Sequence, residues 1–210
     1  MAILAQDSFT DANGTLITVH TPEIGGTWTY FKGTGAQPSI SSNRLSFVSS
    51  GRSYYLSAVT ARDVYVQVDR ISGIQSTVLY ARVQDTNNFY TVGILNTQLA
   101  LTRKLAGTEI ELALKVYSST VTSLKLITSG DSITAVVNGN VELSVRNAEL
   151  TLAGFVALGG NTGSTVVDNF EAGDYPVVSY AMGFGSGGSS MSCRNAIYDF
   201  NRRINNDGAW

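Results

Sequence analysis

Apolar and polar residues alternate with a period of two over most of the chain, from about Arg44 to Phe170. Val, Ile and Thr are abundant there and Pro is scarce, which favours strands over helices. The segment Asp63 to Ile71 (DVYVQVDRI) shows the pattern clearly, because a valine occupies every second position between its polar residues. The pattern predicts an all-β chain.

Nine similar runs follow this segment, and they are Ser76 to Gln84, Phe89 to Leu95, Gln98 to Leu105, Glu109 to Tyr117, Val121 to Thr128, Ser132 to Val137, Val141 to Val145, Leu152 to Leu158 and Thr165 to Glu171. Turn sequences separate them. Asn138-Gly139 is the sharpest, because both residues tolerate the positive φ of a type I′ hairpin turn. Short strands joined by tight turns predict an antiparallel two-sheet jelly-roll sandwich over residues 1 to 173.

The sequence changes character after Glu171, which predicts a separate arm over residues 174 to 210. Residues 183 to 190 (GFGSGGSS) have the composition of a flexible linker, and apolar residues at helical spacing beyond them predict a short helix. One interpretation is a disordered terminus or a helix docked on its own body. The other is an assembly anchor laid on a neighbouring subunit, formed by Ile197, Phe200, Ile204 and Trp210.

Composition narrows the function. The 210 residues include 14 Lys plus Arg, 16 Asp plus Glu, one Cys and one His. Without a basic cluster, the chain has no surface suited to nucleic acid. Cys193 alone cannot form an internal disulfide or a cysteine metal site. The first residues, MAILAQDSF, lack a basic region and a long apolar stretch, so we expect no signal peptide, no membrane span and synthesis in a cytoplasm.

Glu109 and Glu111 are the first candidates for catalysis. Two positions apart on a strand, they would share a face at roughly 6 to 7 Å, a spacing that suits paired acid/base glycoside chemistry. Laminarinase-type glycosidases carry a related series in which a third acidic residue continues the alternation. Here the next same-face residues are Ala113 and Lys115, so we favour a solvent-facing polar edge.

His20 and a glycine-rich run offer weaker signals. No nucleophile-elbow motif accompanies His20, so a Ser-His-Asp triad has little support. The run Gly183 to Gly188 contains no Lys and follows no strand of a βαβ unit, which indicates a linker rather than a phosphate-binding loop.

A structural calcium ion is the one cofactor that the sequence suggests. Asp7 near the first strand and Asp168 in the last would approach each other if the two ends of the body pair, and Ca²⁺ prefers carboxylate and carbonyl ligands. The alternative is that both are solvated or turn-capping residues.

Aromatic and polar residues on strand faces suggest a glycan platform. Sugar rings stack on aromatic side chains beside polar groups, and the outward-facing candidates are Tyr65, Gln67, Asp69, Tyr80 and Arg82. The alternative is that these tyrosines pack across neighbouring strands.

Two terminal segments resemble those of concanavalin A-like (laminin G-like) jelly-roll modules. Residues 7 to 29 (DSFTDANGTLITVHTPEIGGTWT) are similar to the first strand and long loop of such modules, and residues 164 to 172 (STVVDNFEA) are similar to their last strand, which pairs with the first. The resemblance implies that Phe9, Trp28 and Phe170 are core residues.

Such modules are common in virion proteins of tailed bacteriophages and in carbohydrate-active enzymes. The resemblance, together with the arm and the missing signal, leads us to expect a non-enzymatic virion structural protein, such as a head decoration or tail-associated protein, that forms homo-oligomers or binds capsid or tail proteins. The alternative is a carbohydrate-binding module for host receptor glycans, with a glycoside hydrolase third. Fold alone does not fix function.

Overall fold

The computed structural model describes residues 1–47, 51, 53–72, 75–95, 97–160 and 165–176. This part of the chain contains strands and no helix. In chain order the strands are β1 Ile3–Asp7, β2 Trp28–Lys32, β3 Ser39–Ile40, β4 Leu45–Ser46, β5 Ser53–Ala61, β6 Val64–Ser72, β7 Gln75–Asp85, β8 Asn88–Leu95, β9 Gln98–Leu105, β10 Thr108–Val116, β11 Ser123–Ser129, β12 Ser132–Val137, β13 Asn140–Arg146, β14 Gly154–Gly160 and β15 Val166–Asp174.

The strands form two antiparallel sheets. Sheet I has the order β13-β12-β11-β6-β15-β4-β3, and β1 joins it by pairing with β15. Sheet II has the order β10-β9-β8-β7-β14-β5-β2. Side chains from both sheets form one buried apolar core, so the architecture is the predicted two-sheet sandwich.

The first and last strands are adjacent, as predicted. Ala5 of β1 lies opposite Ala172 of β15, and Asp7 lies opposite Phe170. Each of the ten strands predicted between residues 63 and 171 corresponds to one of β6 to β15. Asn138 and Gly139 have φ values of 50° and 80°, the double positive φ that a type I′ turn requires. The strand alternation and the turn sequences were therefore sufficient to predict this part of the fold.

Three aromatic residues close the core where the two ends of the body meet. The Trp28 ring lies 6.1 Å from the Phe9 ring and 5.0 Å from the Phe170 ring, measured between centroids. All three side chains are buried, as the resemblance implied. Each such side chain contributes roughly 1.5 to 3 kcal/mol by burial, so the cluster fastens the long connection before β2 to the last strand.

The predicted arm, residues 174 to 210, lies almost entirely outside the described residues. β15 stops at Asp174, and the predicted helix and the anchor residues Ile197, Phe200, Ile204 and Trp210 lie outside the described residues. Within the described residues, no helix has the length and apolarity needed to cross a membrane.

Candidate functional site

A shallow, open groove of about 290 Å³ lies on the outer face of sheet II, the face that points away from the core. Four neighbouring strands build it, because β7, β14, β5 and β2 are consecutive in the sheet. The residues that line the groove are Tyr30, Phe31, Tyr55, Val83, Gln84, Asp85, Thr86 and Phe155.

Tyr55 and Phe155 form the aromatic wall of the groove. Their ring centroids are 4.6 Å apart with the planes inclined by 33°, and both side chains are half-buried. Phe31 stands almost perpendicular to Tyr55, with centroids 6.5 Å apart. Strand alternation explains the placement, because the neighbours Tyr54, Leu56 and Val156 point into the core. The wall offers apolar ring surface in contact with solvent.

The rest of the aromatic cluster is closed to ligands. Tyr80 and Phe89 are 5% and 1% exposed, and the Lys32 ammonium lies 5.2 Å and 4.3 Å from their ring centroids. Burial lowers the pKa of Lys32. Burial raises the pKa of Tyr80 to about 12, although its hydroxyl is 3.0 Å from Ser53 Oγ. Tyr80 therefore packs edge-on against Phe31, with ring centroids 5.7 Å apart, and exposes almost no ring surface of its own.

Gln84, Asp85 and Thr86 supply the polar rim of the groove. Asp85 Oδ1 accepts hydrogen bonds from the Asn87 amide at 2.6 Å and from Asn88 Nδ2 at 2.9 Å. These bonds lower the pKa of Asp85. Donors, acceptors and one fixed negative charge thus stand beside exposed aromatic surface.

Arg82 does not belong to this surface, although the alternation of β7 predicted that it shares a face with Tyr80. Its φ is 51°, and the pairing of β7 with β8 loses register between Ala81 and Asp85. This β-bulge buries the guanidinium completely. Nε, Nη1 and Nη2 donate to three backbone carbonyls at 2.6 to 2.7 Å, and those carbonyls belong to Arg62, Leu150 and Gly130.

The other three predicted glycan residues lie on the opposite side of the molecule. Tyr65, Gln67 and Asp69 belong to β6 in sheet I, whereas Tyr80 belongs to sheet II. The five residues therefore do not form one platform. Sequence adjacency of β6 and β7 was misleading, because the chain changes sheets between them.

Their contacts are those of packed side chains. The Tyr65 hydroxyl donates to Glu171 Oε1 at 2.7 Å, Lys125 Nζ lies 5.0 Å from the Tyr65 ring centroid, and the residue is 9% exposed. Burial, with the bond to Glu171, raises the pKa of Tyr65. Asp69 Oδ2 accepts from Asn169 Nδ2 at 3.0 Å. Tyr65 therefore packs against side chains of neighbouring strands, which is the alternative interpretation given from the sequence.

Asp7 and Asp168 do not share a ligand set for a metal ion. Asp7 is fully buried, and its carboxylate accepts hydrogen bonds from Trp28 Nε1 at 2.5 Å and from the Phe9 amide at 2.7 Å. Asp168 caps the Asn169 amide at 2.8 Å. Among the described residues, no group of three or more His, Cys, Asp or Glu could hold a metal ion. Asp168 is thus a turn-capping residue, whereas Asp7 is a buried acceptor for side-chain and backbone donors.

His20 occupies a site that the sequence did not reveal. Its Nε2 lies 2.9 Å from Asp7 Oδ1 and its Nδ1 lies 3.2 Å from Asp11 Oδ2. Burial alone would lower the pKa of His20, but the bonds to Asp7 and Asp11 and their charges raise it. Burial raises the pKa of Asp7, against the lowering effect of its donors Trp28, His20 and the Phe9 amide. Both ring nitrogens face carboxylates, so the imidazole has no nitrogen left to activate a nucleophile.

Glu109 and Glu111 are exposed on β10, an edge strand of sheet II. The pairing of β10 with β9 shifts register between Glu111 and Ala113, so the same-face series ends there. The ammonium of Lys115 lies 2.5 Å from the Glu142 carboxylate instead. The solvent-facing polar edge that we favoured is the arrangement found.

Comparison with known proteins adds evidence on the fold. No family model matches the chain, and no curated protein matches its sequence. Among solved structures, the chain is similar to a carbohydrate-binding module, CBM66, from Bacillus subtilis, with a TM-score of 0.55 and 17% identity over 69% of this chain and 94% of that one.

Two further structures share the fold. A Bacillus subtilis protein of unknown function with a galectin-like fold gives a TM-score of 0.59 at 13% identity, over 78% of this chain and 96% of that chain. The botulinum neurotoxin serotype D binding domain gives 0.54 at 10% identity, over 82% of this chain and only 48% of that domain. The chain therefore has a β-sandwich fold that occurs in binding modules, consistent with the concanavalin A-like sandwich expected from the sequence. None of these structures links the chain to a virion.

Proposed function

We propose that this protein is a non-catalytic carbohydrate-binding module whose ligand lies in the groove on sheet II. The observation behind the proposal is the pair of half-buried rings, Tyr55 and Phe155, beside the polar side chains of Gln84, Asp85 and Thr86. The C–H face of a sugar ring packs on aromatic surface while its hydroxyls bond to polar groups at the rim. The alternative function derived from the sequence thus has more support than the virion role.

The size of the groove favours a short ligand segment. Its volume of about 290 Å³ is near the lower end of small-molecule sites, which span roughly 300 to 1,000 Å³. An open groove of this size takes one or two sugar units of a longer chain and leaves the remainder in solvent.

The lining argues for binding without hydrolysis. Glycoside hydrolysis generally needs two carboxyl groups flanking the scissile bond. Of the described residues that line the groove, Asp85 is the one that has a carboxyl group, and hydrogen bonds lower its pKa, the opposite of what a general acid requires.

Location in a virion, as a head decoration or tail-associated protein anchored by the arm, stays a prediction from the sequence. The two roles are compatible, because a surface protein of a virion can bind glycans. Binding to capsid or tail proteins and homo-oligomer formation are likewise proposals that the groove does not address.

Glycan binding tests the proposal directly. We expect the full chain to bind members of an immobilised glycan array, with the affinity of a hit measured by isothermal titration calorimetry. Tyr55→Ala and Phe155→Ala should each weaken that affinity by at least about tenfold, because each removes stacking surface worth at least ~1.4 kcal/mol.

The matched control is Tyr117→Ala, which removes a half-buried tyrosine that does not line the groove. Its affinity should equal that of the unmodified chain, and circular dichroism should show that all variants retain the β-sheet spectrum. Absence of binding across neutral, acidic and sulfated glycans would contradict the proposal, as would binding that survives both groove substitutions.

A further inference from the structure

Asp85 is the one charged side chain among the described residues that line the groove. It ends β7 and its carboxylate is exposed on the rim. Hydrogen bonds from the Asn87 amide and the Asn88 side chain lower the pKa of Asp85, so it stays ionised at neutral pH. A ligand that enters the groove meets a fixed negative charge.

The turn after β7 holds this carboxylate in one orientation. Oδ1 accepts from the Asn87 amide and from Asn88 Nδ2, and Oδ2 accepts from Asn88 Nδ2 at 2.8 Å. A carboxylate has about four lone-pair sites, so Oδ2 can still accept one more donor. Because the group is already oriented, a ligand hydroxyl bonds to it at little cost in side-chain entropy.

Neighbouring cations do not reverse the charge of the lining. Lys104 Nζ donates to the backbone carbonyl of Thr86 at 3.1 Å and lies 5.8 Å from the Phe89 ring centroid. Lys32 lies over the same ring. The charge of Lys104 acts on Asp85 and helps to lower its pKa, but neither lysine lines the groove, so the charged lining group that a bound ligand contacts is Asp85.

We infer that Asp85 determines specificity by restricting the groove to uncharged sugars and rejecting glycans that carry a carboxylate or sulfate there; the inference rests on the proposed function. A neutral sugar donates a hydroxyl to Oδ2 in a charge-assisted hydrogen bond. A uronate or sulfate in the same position brings a like charge against a carboxylate that cannot turn away. Discrimination of this kind uses repulsion as well as attraction.

The test uses pairs of glycans that have the same sugar backbone and differ in one acidic group: glucose and glucuronate oligomers, galactose and galacturonate oligomers, and an unsulfated glycan with its sulfated form. The unmodified chain should bind neutral members and reject their acidic partners. Asp85→Asn keeps an oxygen to accept from the Asn87 amide, and it should raise the affinity for acidic members relative to neutral ones by about tenfold.

Glu111→Gln is the matched control, because it removes the same charge from an exposed residue of sheet II that does not line the groove. It should leave the neutral-to-acidic ratio unchanged. Raising the salt concentration should bring the ratio of neutral to acidic affinities closer to one for the unmodified chain, because salt screens the repulsion. The same ratio for Asp85→Asn should change little.

The outcomes separate the two proposals. If acidic and neutral partners bind equally, or if Asp85→Asn leaves the affinity ratio unchanged, while Tyr55→Ala still weakens binding, the role of Asp85 is wrong and the groove remains a glycan site. If no glycan of either kind binds, or if binding survives Tyr55→Ala and Phe155→Ala, the proposed function itself is wrong.

Discussion

His20 Nε2 lies 2.9 Å from Asp7 Oδ1 in the core of the sandwich, where both side chains are buried. Asp7 ends β1, whereas His20 belongs to the long connection between β1 and β2. Trp28 Nε1 donates to the other oxygen of the same carboxylate. One buried carboxylate therefore joins the first strand, the connection and β2.

Replacing His20 should destabilise the fold. His20→Leu keeps a side chain of similar size but removes one donor from the buried Asp7 carboxylate, and we expect the free energy of unfolding to fall by about 2 to 3 kcal/mol at pH 6. Urea denaturation followed by tryptophan fluorescence measures this change. Asp11→Asn, which alters the exposed partner of His20, should lower the free energy of unfolding by a smaller amount. Equal stability of His20→Leu and the unmodified chain would show that the buried pair contributes nothing.

The same histidine should make stability depend on pH. The bonds and charges of Asp7 and Asp11 raise the folded-state pKa of His20 above its usual 6.5, despite the opposing effect of burial. The stabilisation is complete below pH 6.5 and is lost as the pH rises through the folded-state pKa, with a slope of at most ~1.4 kcal/mol per pH unit.

Urea denaturation at a series of pH values from 6 to 9 checks this sign. His20 is the one histidine of the chain, so His20→Leu should remove the decline in this window. A stability that rises with pH in the unmodified chain, or an identical decline in the variant, would contradict the assignment.

The sequence predicted the strands from β6 onward because each of them alternates and ends at a turn sequence. β5 (SYYLSAVTA) was not predicted. Its consecutive Tyr54 and Tyr55 fill the core and the groove respectively, so both faces of the strand are apolar at that point. A bulge in its pairing with β14, between Phe155 and Ala157, further obscures the period of two.

The candidate site was predicted only in part. Tyr80 was selected from its strand and packs against Phe31 of the groove, but Tyr55 and Phe155 come from strands far apart in sequence that only the sheet order brings together. Arg82 was predicted on the wrong face because no residue type in β7 indicates a bulge with positive φ. The contact of His20 with Asp7 depends on the path of a loop, which the pattern of apolar positions does not describe.

Glu111→Gln should leave the stability of the protein unchanged, and neither the variant nor the unmodified chain should cleave sugar polymers. Glu111 is exposed on an edge strand, and the residues that would continue the series, Ala113 and Lys115, are not acidic. We expect an unchanged denaturation midpoint and no release of reducing sugar from β-glucans by either protein. Cleavage by the unmodified chain that disappears in the variant would show that β10 has a catalytic role.

Arg82→Met should destabilise the protein without acting on ligand specificity. The guanidinium is fully buried and bonds to carbonyls from three separate segments, so its loss leaves several buried acceptors without their donors. We expect a loss of about 3 to 5 kcal/mol in the free energy of unfolding, measured by urea denaturation. Any glycan affinity should persist at temperatures where the variant is folded.

The control for this variant is Arg62→Met, which removes an exposed arginine side chain from the same end of the sandwich while keeping the backbone carbonyl that Arg82 contacts. Its stability should lie within about 0.5 kcal/mol of the unmodified chain. If instead Arg82→Met retained full stability and lost glycan binding selectively, the guanidinium would be a ligand contact, as the sequence first suggested, because only a residue that contacts the ligand changes affinity without changing the fold.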